Sequence, residues 1–347
     1  MFLSTKLKLK FKKSFLVLVM LFFSAAGFSL EKRGAQELVE CGSWVYDALA
    51  AISMETGRAD LSNQAPCTVN EIKMYLNEAD YDSLSEGGKT LWHRIDDYIN
   101  HEYWAFSASI FSVGIDPEIN LEGFYKSEDD LQWVYDRYNR KSLINVPFFI
   151  QAKDYFTMKM DVDLRENKGT TLYSDNYTNI PSEAREVDVN FPSTGYFSAG
   201  IAFSEDAFAN FRIGLGTQSV GRSLTGSIIL SEYFTGSSWA NLEFYSPNLR
   251  YNMNVTQFNV DQYMYNHSLE FRFFKKLTFY ASESVFVFAP LELRFLNPLT
   301  IYHGFSPWRD YDPDKSDSET HTTAYLTLHA SFVPVKYLRI YGMFAMT

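Results

Sequence analysis

Strict two-residue alternation over long segments constrains this chain more than any other feature. Phe156, Met158, Met160, Val162 and Leu164 alternate with Thr157, Lys159, Asp161, Asp163 and Arg165. Leu249, Tyr251, Met253 and Val255 alternate in the same way with Arg250, Asn252, Asn254 and Thr256. Leu269, Phe271 and Phe273 alternate with Ser268, Glu270 and Arg272, and Leu326, Leu328 and Ala330 with Thr327, His329 and Ser331. Successive side chains of a strand point to opposite faces, so each segment has one apolar face and one polar or charged face. Two architectures accept such strands. A β-sandwich packs the apolar faces together, whereas a transmembrane barrel turns them to lipid and encloses the polar ones.

Three features favour the barrel. Several alternating segments run for about 9–11 residues, the length that crosses a bilayer at a tilt. Aromatic residues recur near the segment ends, as at Tyr155-Phe156, Tyr233-Phe234, Phe286 with Phe288, and Tyr337 with Tyr341, which suits interfacial girdles. The links are unequal: Lys275-Lys276 and Val333-Pro334 read as tight turns, while residues 166–190 and 304–321 are long and polar.

Residues 30–104 carry a different period. Trp44, Ala48, Leu49 and Ile52 recur at helical spacing, and Gly57 stands where a C-cap belongs. Thr68-Val-Asn-Glu71 has capping-box spacing ahead of Ile72, Tyr75 and Leu76. Leu91, Ile95, Tyr98 and Ile99 form a third stripe. Three short amphipathic helices predict a small bundle.

The first 29 residues read as a leader. Lys6, Lys8, Lys10, Lys12 and Lys13 precede an apolar run from Phe15 to Phe23 and then small residues, with cleavage-site pairs at Ser24/Ala26 or Gly27/Ser29. The run is too short to cross a bilayer as a helix. Removing five lysines and no acids would take the formal charge from −11 to −16. So acidic a chain argues against nucleic acid as a partner, since phosphate binding needs clustered Lys and Arg. A mean hydropathy of −0.20 excludes a helical membrane protein but not a barrel. Cys41 and Cys67 are the only cysteines. In an oxidising periplasm they invite a disulfide, the alternative being two separate small core residues.

Several segments, taken in order, resemble the capsule-assembly outer-membrane family typified by the Wzi protein. Trp44-Val-Tyr-Asp-Ala-Leu-Ala-Ala-Ile52 and Asn70-Glu-Ile-Lys-Met-Tyr-Leu76 are similar to that family's opening helices. Phe211-Arg-Ile-Gly214, Gly221-Arg222 and Gly226-Ser-Ile-Ile-Leu-Ser231 resemble its glycine-arginine segment and the short strand after it. Leu277 to Glu283 and Leu293-Arg-Phe-Leu-Asn-Pro-Leu299 resemble a strand with a late glutamate and an "NPL" turn. The resemblance implies a periplasmic helical bundle beneath an outer-membrane barrel, and a role in holding surface polysaccharide. The family's barrels are large, and the last segment here ends in Thr347 rather than an aromatic. The barrel is therefore either a smaller variant or truncated.

Candidate chemistry is sparse. Phe305, Trp308 and Tyr311 lie in the long polar 304–321 segment, where aromatic rings beside carboxylates can stack on sugars; Trp239 reads as an interfacial anchor. Lys159, Asp161, Asp163 and Arg165 would line the lumen. The acidic run from Asp310 to Glu319 lacks the glycine and the final glutamate of a calcium loop, which leaves a solvated loop and no metal. The six histidines show no ligand spacing, and neither a nucleophile elbow nor a phosphate-cradling glycine loop is present. The expectation is thus a mainly β protein: leader 1–29, periplasmic helical bundle 30–104, antiparallel outer-membrane β-barrel 105–347. It would bind or organise surface polysaccharide without catalysis or cofactor, in contact with outer-membrane lipid. A porin or diffusion channel is the first alternative and a secreted β-sandwich the second.

Overall fold

The structure, a computed structural model, describes residues 27–59, 64–128, 130, 140–166, 177–181, 187–204, 206–223, 225–232, 234, 236–303 and 322–347. Most of the expected leader lies outside these residues, as does the whole 304–321 segment.

The elements run β1 (Gly27–Lys32), β2 (Leu38–Val39), α1 (Trp44–Thr56), β3 (Gln64–Ala65), β4 (Cys67–Thr68), α2 (Val69–Glu78) and α3 (Glu86–Ile99). After these come β5 (Glu102–Ala108), β6 (Phe111–Ile115), β7 (Glu118–Ile119), β8 (Ile144–Ala152), β9 (Phe156–Glu166) and β10 (Val187–Ser204). The rest are β11 (Ala207–Gly216), β12 (Ser219–Ser223), β13 (Gly226–Leu230), β14 (Ser237–Tyr245) and β15 (Leu249–Asn259). They end with β16 (Gln262–Phe273), β17 (Leu277–Phe288), β18 (Thr322–Val335) and β19 (Leu338–Met346). The protein is mainly β, with a large antiparallel sheet of 14 strands.

The chain divides into two compact units. The first comprises Met1–Lys32, Glu102–Lys153 and Met158–Gly195. Its strands lie in the order β1-β5-β6-β8-β9, then the first half of β10, with β7 paired to β8. The second comprises Arg33–His101, Asp154–Thr157 and Tyr196–Thr347. Here the order is the rest of β10, then β11-β14-β15-β16-β17-β18-β19, with two small sheets, β13-β12-β3 and β2-β4. The helical residues therefore cluster with the later strands. The stretch 30–104 is also less uniformly helical than its apolar stripes predict. β1 pairs with β5 from Gly27↔Ser107 to Lys32↔Glu102, and β5 begins before residue 105.

The helix signals hold in detail. Ser43 caps α1, Thr68 Oγ1 accepts the Glu71 N–H at 3.2 Å to cap α2, and Ser85 Oγ accepts the Gly88 N–H at 3.1 Å to cap α3. Gly57 closes α1 at φ 72°, the left-handed geometry a C-cap glycine supplies at least cost. Val45, Leu49, Ile52, Ile72, Leu76, Ile95 and Ile99 share one core. Each large aliphatic enclosed there contributes about 1.5–3 kcal/mol. Tyr75 is buried but turns instead toward the sheet.

The second unit's strands bury the polar face. Asn210 and Arg212 of β11, Asn241 and Glu243 of β14, and Arg250, Asn252, Asn254 and Thr256 of β15 are all buried. So are Asn266, Ser268 and Glu270 of β16, Thr278, Ser282 and Ser284 of β17, and Thr327, His329 and Ser331 of β18. The alternate positions carry exposed Phe211, Ile213, Leu242, Phe244, Phe279 and Phe332. A two-sheet sandwich built from these strands would bury the opposite face.

The links of this unit also differ between its two ends. The turns at 246–248, 274–276 and 336–337 are tight, with Phe274, Lys275 and Tyr337 at positive φ. The opposite end holds the links 217–236 and 289–321 as well as the short turn at 260–261. The turn expected at Val333-Pro334 falls instead at Lys336-Tyr337. β18 runs on through the proline with a register shift between Phe332 and Val335, because proline is tolerated at such an irregularity.

Candidate functional site

The buried polar face of the second unit is occupied by the helical segment. α1 reaches the tight-turn end, where the Ala59 N–H donates to Lys275 O at 2.7 Å and the Tyr337 N–H to Met54 O at 2.9 Å. From there the chain enters the polar face. Gln64 Nε2 donates to Ser268 Oγ at 2.5 Å, and β3 pairs with β12 through Ser219↔Ala65 and Val220↔Gln64. Tyr245 Oη meets Thr68 Oγ1 at 3.2 Å and accepts from Asn70 Nδ2 at 3.4 Å.

A chain of buried ion pairs runs through this junction. Arg212 pairs with Glu243, and Glu243 also takes Arg250 Nε. Arg250 Nη1 lies 2.7 Å from Glu71 Oε1 of α2. Arg272 pairs with Glu270 at 3.0 Å and donates to the Tyr75 hydroxyl and to Pro247 O. The three arginines and three glutamates balance. A lone charge at such depth would cost several kcal/mol, and only a matched, hydrogen-bonded set is tolerable. Burial, aided by the nearby Glu71 and Glu270 carboxylates, pushes the Tyr75 hydroxyl well above the usual phenol range, so it stays a neutral partner. Sequence alternation places Arg250, Glu270 and Arg272 on the polar face. It carries no sign that Glu71, whose spacing reads as a capping box, sends its carboxylate to Arg250 instead.

The sites expected from the sequence fall out as follows. Asp161 and Asp163 are buried in β9 of the first unit. Thr194 Oγ1 donates to Asp161, and Ser142 Oγ donates to Asp163 at 2.7 Å. Arg165 pairs with Asp163, and Lys159 shares their face. Phe305, Trp308 and Tyr311 lie outside the described residues, as does the acidic run 310–319. Trp239, expected as an interfacial anchor, is instead buried in β14 on the polar face, because its register position matches Asn241 and Glu243. Cys41 and Cys67 are free thiols, so the expected disulfide is not formed. The β2-β4 register sets Val39, not Cys41, opposite Cys67. The Cys41 thiol faces Thr217 O and that of Cys67 faces Gln64 O, each at 3.5 Å. Burial pushes both thiols up to about 12, far from the reactive thiolate range.

A second polar cluster lies on the opposite, apolar face of the same strands. Asn266 Nδ2 donates to Ser282 Oγ and Ser284 Oγ on the buried face, so Glu283 must point the other way, with Phe279, Val285 and Val287. Its carboxylate accepts the Tyr302 N–H at 2.7 Å, the His303 N–H at 2.9 Å, His303 Nδ1 at 2.5 Å and His267 Nε2 at 3.1 Å. Residues 289–303 thereby fold back along the apolar face of the strands. Phe295 and Tyr302 are buried there against Tyr265, Val285 and Val287. The sequence signals a strand with a late glutamate but nothing of this fold-back. Among the described residues, no group of three His, Cys, Asp or Glu is placed to hold a metal ion. No protein-family model matches the chain, and no curated protein and no solved structure matches it.

Proposed function

We propose that the chain is an outer-membrane β-barrel protein that binds or organises surface polysaccharide without catalysis. The observation that carries the membrane part is the inverted burial. Strands of 9–18 residues that hide Arg, Glu and Asn while exposing Phe, Leu and Ile suit lipid outside and a polar interior. Tight turns gathered at one end and long links at the other support the same reading. In it, the helical segment enters from the periplasmic, tight-turn end and fills the interior, and Lys159, Asp161, Asp163 and Arg165 line the wall. The ordered resemblance to Wzi-like proteins supports the polysaccharide part, and Phe305, Trp308 and Tyr311 are its candidate glycan contacts.

A neutral ion-pair network packed into the polar face argues against an open channel, since conduction requires a continuous wet path. The deciding experiment is fractionation of native cells with heat-modifiable gel migration, followed by polysaccharide binding and surface staining after deletion. Outer-membrane location with lost surface polysaccharide would support the reading. A detergent-independent protein, or an unchanged surface with no glycan affinity, would sink it. Steady conductance across planar bilayers would favour the channel.

A further inference from the structure

We infer that residues 289–303 form a strap embedded in the membrane, with its leucines against lipid acyl chains and Glu283 as its buried anchor. The inference rests on the membrane reading above and deepens it. Irregular backbone does not survive in hydrocarbon unless its polar groups are satisfied within the protein. Much of the strap meets that demand. The N–H groups of Phe295, Asn297 and Thr300 bond to carbonyls inside it. Tyr265 Oη takes the Glu292 N–H at 2.9 Å, and Asn297 Oδ1 the Leu299 N–H at 3.1 Å. Glu283 takes those of Tyr302 and His303, and Pro290 and Pro298 carry none.

The charges are closed as well. Arg294 pairs with Glu292 at 2.6 Å, and the two histidines complete the shell around Glu283. A carboxylate in the middle of β17, on a face otherwise made of Leu, Phe, Ala and Val, is costly in lipid without such cover. What the strap presents most openly is aliphatic: Leu291, Leu293, Leu299 and Ile301 are 50%, 76%, 87% and 65% exposed, with Asn297 exposed among them and the Arg294–Glu292 pair partly so. Phe244 and Phe279 are likewise exposed on the apolar face of the strands, so a strap that covers part of that face replaces one apolar surface with another. Acyl chains are the partner that fits both surfaces at once.

The test is label depth in full-length protein reconstituted in phosphatidylethanolamine–phosphatidylglycerol vesicles. Nitroxide labels go on L293C and L299C, on F244C in the sheet and on V260C in a turn, each in a C41S/C67S background because Cys41 is only half-buried. Collision with oxygen relative to a polar nickel chelate is expected to be severalfold higher at L293C, L299C and F244C than at V260C. Nickel access at the strap with F244C shielded would overturn the strap and leave the membrane reading standing. Nickel access at F244C as well would remove both. Immobile strap labels shielded from both reagents would mean a protein partner covers them, which overturns lipid as the occupant. E283Q is expected to raise label mobility at L293C and L299C but not at F244C, and unchanged mobility would refute Glu283 as the anchor. If E283Q does not fold, the depth measurement still decides, because it leaves Glu283 intact.

Discussion

Glu71 of α2 and Arg250 of β15 lie 2.7 Å apart, both sealed from solvent, and this contact fastens the helical segment to the polar face of the sheet. Glu243 is already shared between Arg212 and Arg250. Removing Glu71 therefore leaves Arg250 under-neutralised rather than simply unbound. Glu71→Ala is expected to lower unfolding stability by about 3–5 kcal/mol, the usual cost of stranding one member of a buried pair. Glu71→Met with Arg250→Met removes both charges, leaves Arg212–Glu243 and Arg272–Glu270 balanced, and should recover most of that loss. Urea midpoints of tryptophan fluorescence measure both variants. An equal loss in the two would mean that shape, not charge, holds the junction.

The same residues show what a sequence can and cannot reveal. Alternation at 249–256 and 268–273 correctly sorts which side chains share a face, because the period of a strand is local. It does not say which face is buried. That depends on whether the surroundings are water or lipid and on what fills the interior. Glu71 illustrates the limit: its spacing from Thr68 signals a helix start, and the cap forms, but the carboxylate is committed to a strand far along the chain. Glu283 is harder still, since its partners at 302 and 303 arrive only through a fold-back of irregular chain with no period. The cysteine pairing failed for a related reason. Closeness in sequence suggested a bridge, and a two-residue ladder with register Val39↔Cys67 excludes Cys41 from it.

Free thiols, one buried and one half-buried, have a measurable signature. In the folded protein at pH 8, Cys41 and Cys67 are expected to resist a colourimetric disulfide reagent, and both should react after unfolding. Reductant should leave gel mobility unchanged. Burial raises both thiols to about 12 from a normal value of about 8.5. A raised acid favours the folded state below its unfolded value, so this contribution is complete at neutral pH and is lost as pH climbs from about 8.5 toward 12. Titration of stability on the alkaline side should steepen there, and C41S/C67S should flatten it.

Glu55, near the C-terminus of α1, works in the opposite direction. Burial opposes its charge, but the N–H and hydroxyl of Ser85, with Lys336 nearby, outweigh it and hold the carboxyl below its ordinary range. A depressed carboxyl stabilises the fold above its unfolded value of about 4.3, and the contribution disappears as pH falls through the lower folded value. The wild type should therefore lose stability on acidification over that window, and E55Q should lose less because it has no charge to forfeit there. Identical acid profiles for the two would sink this assignment. Because Ser85 caps α3, E55Q should also raise exchange of the first amides of that helix at neutral pH.

If the chain is exported as proposed, the start of β1 discriminates between the two cleavage sites read from the sequence. Cleavage after Ala26 leaves Gly27 first and keeps all six rungs of the β1-β5 ladder, from Gly27↔Ser107 to Lys32↔Glu102. Cleavage after Ser29 removes half of them. It also removes the Ser29 hydroxyl, which donates to Glu31 Oε1 at 3.1 Å and to Ser107 Oγ at 3.3 Å beside the 2.6 Å bond from Ser107 to Glu31. β5 would then lose its β1 partner along half of that ladder, and unpaired strand backbone invites mispairing elsewhere. Amino-terminal sequencing of the protein from membranes is expected to begin at Gly27. A start at Leu30 would mean that β1 is only three residues long in the mature chain. It would also mean that the edge of β5 is completed by something other than Gly27–Ser29. A chain that still begins at Met1 would remove the exported reading altogether.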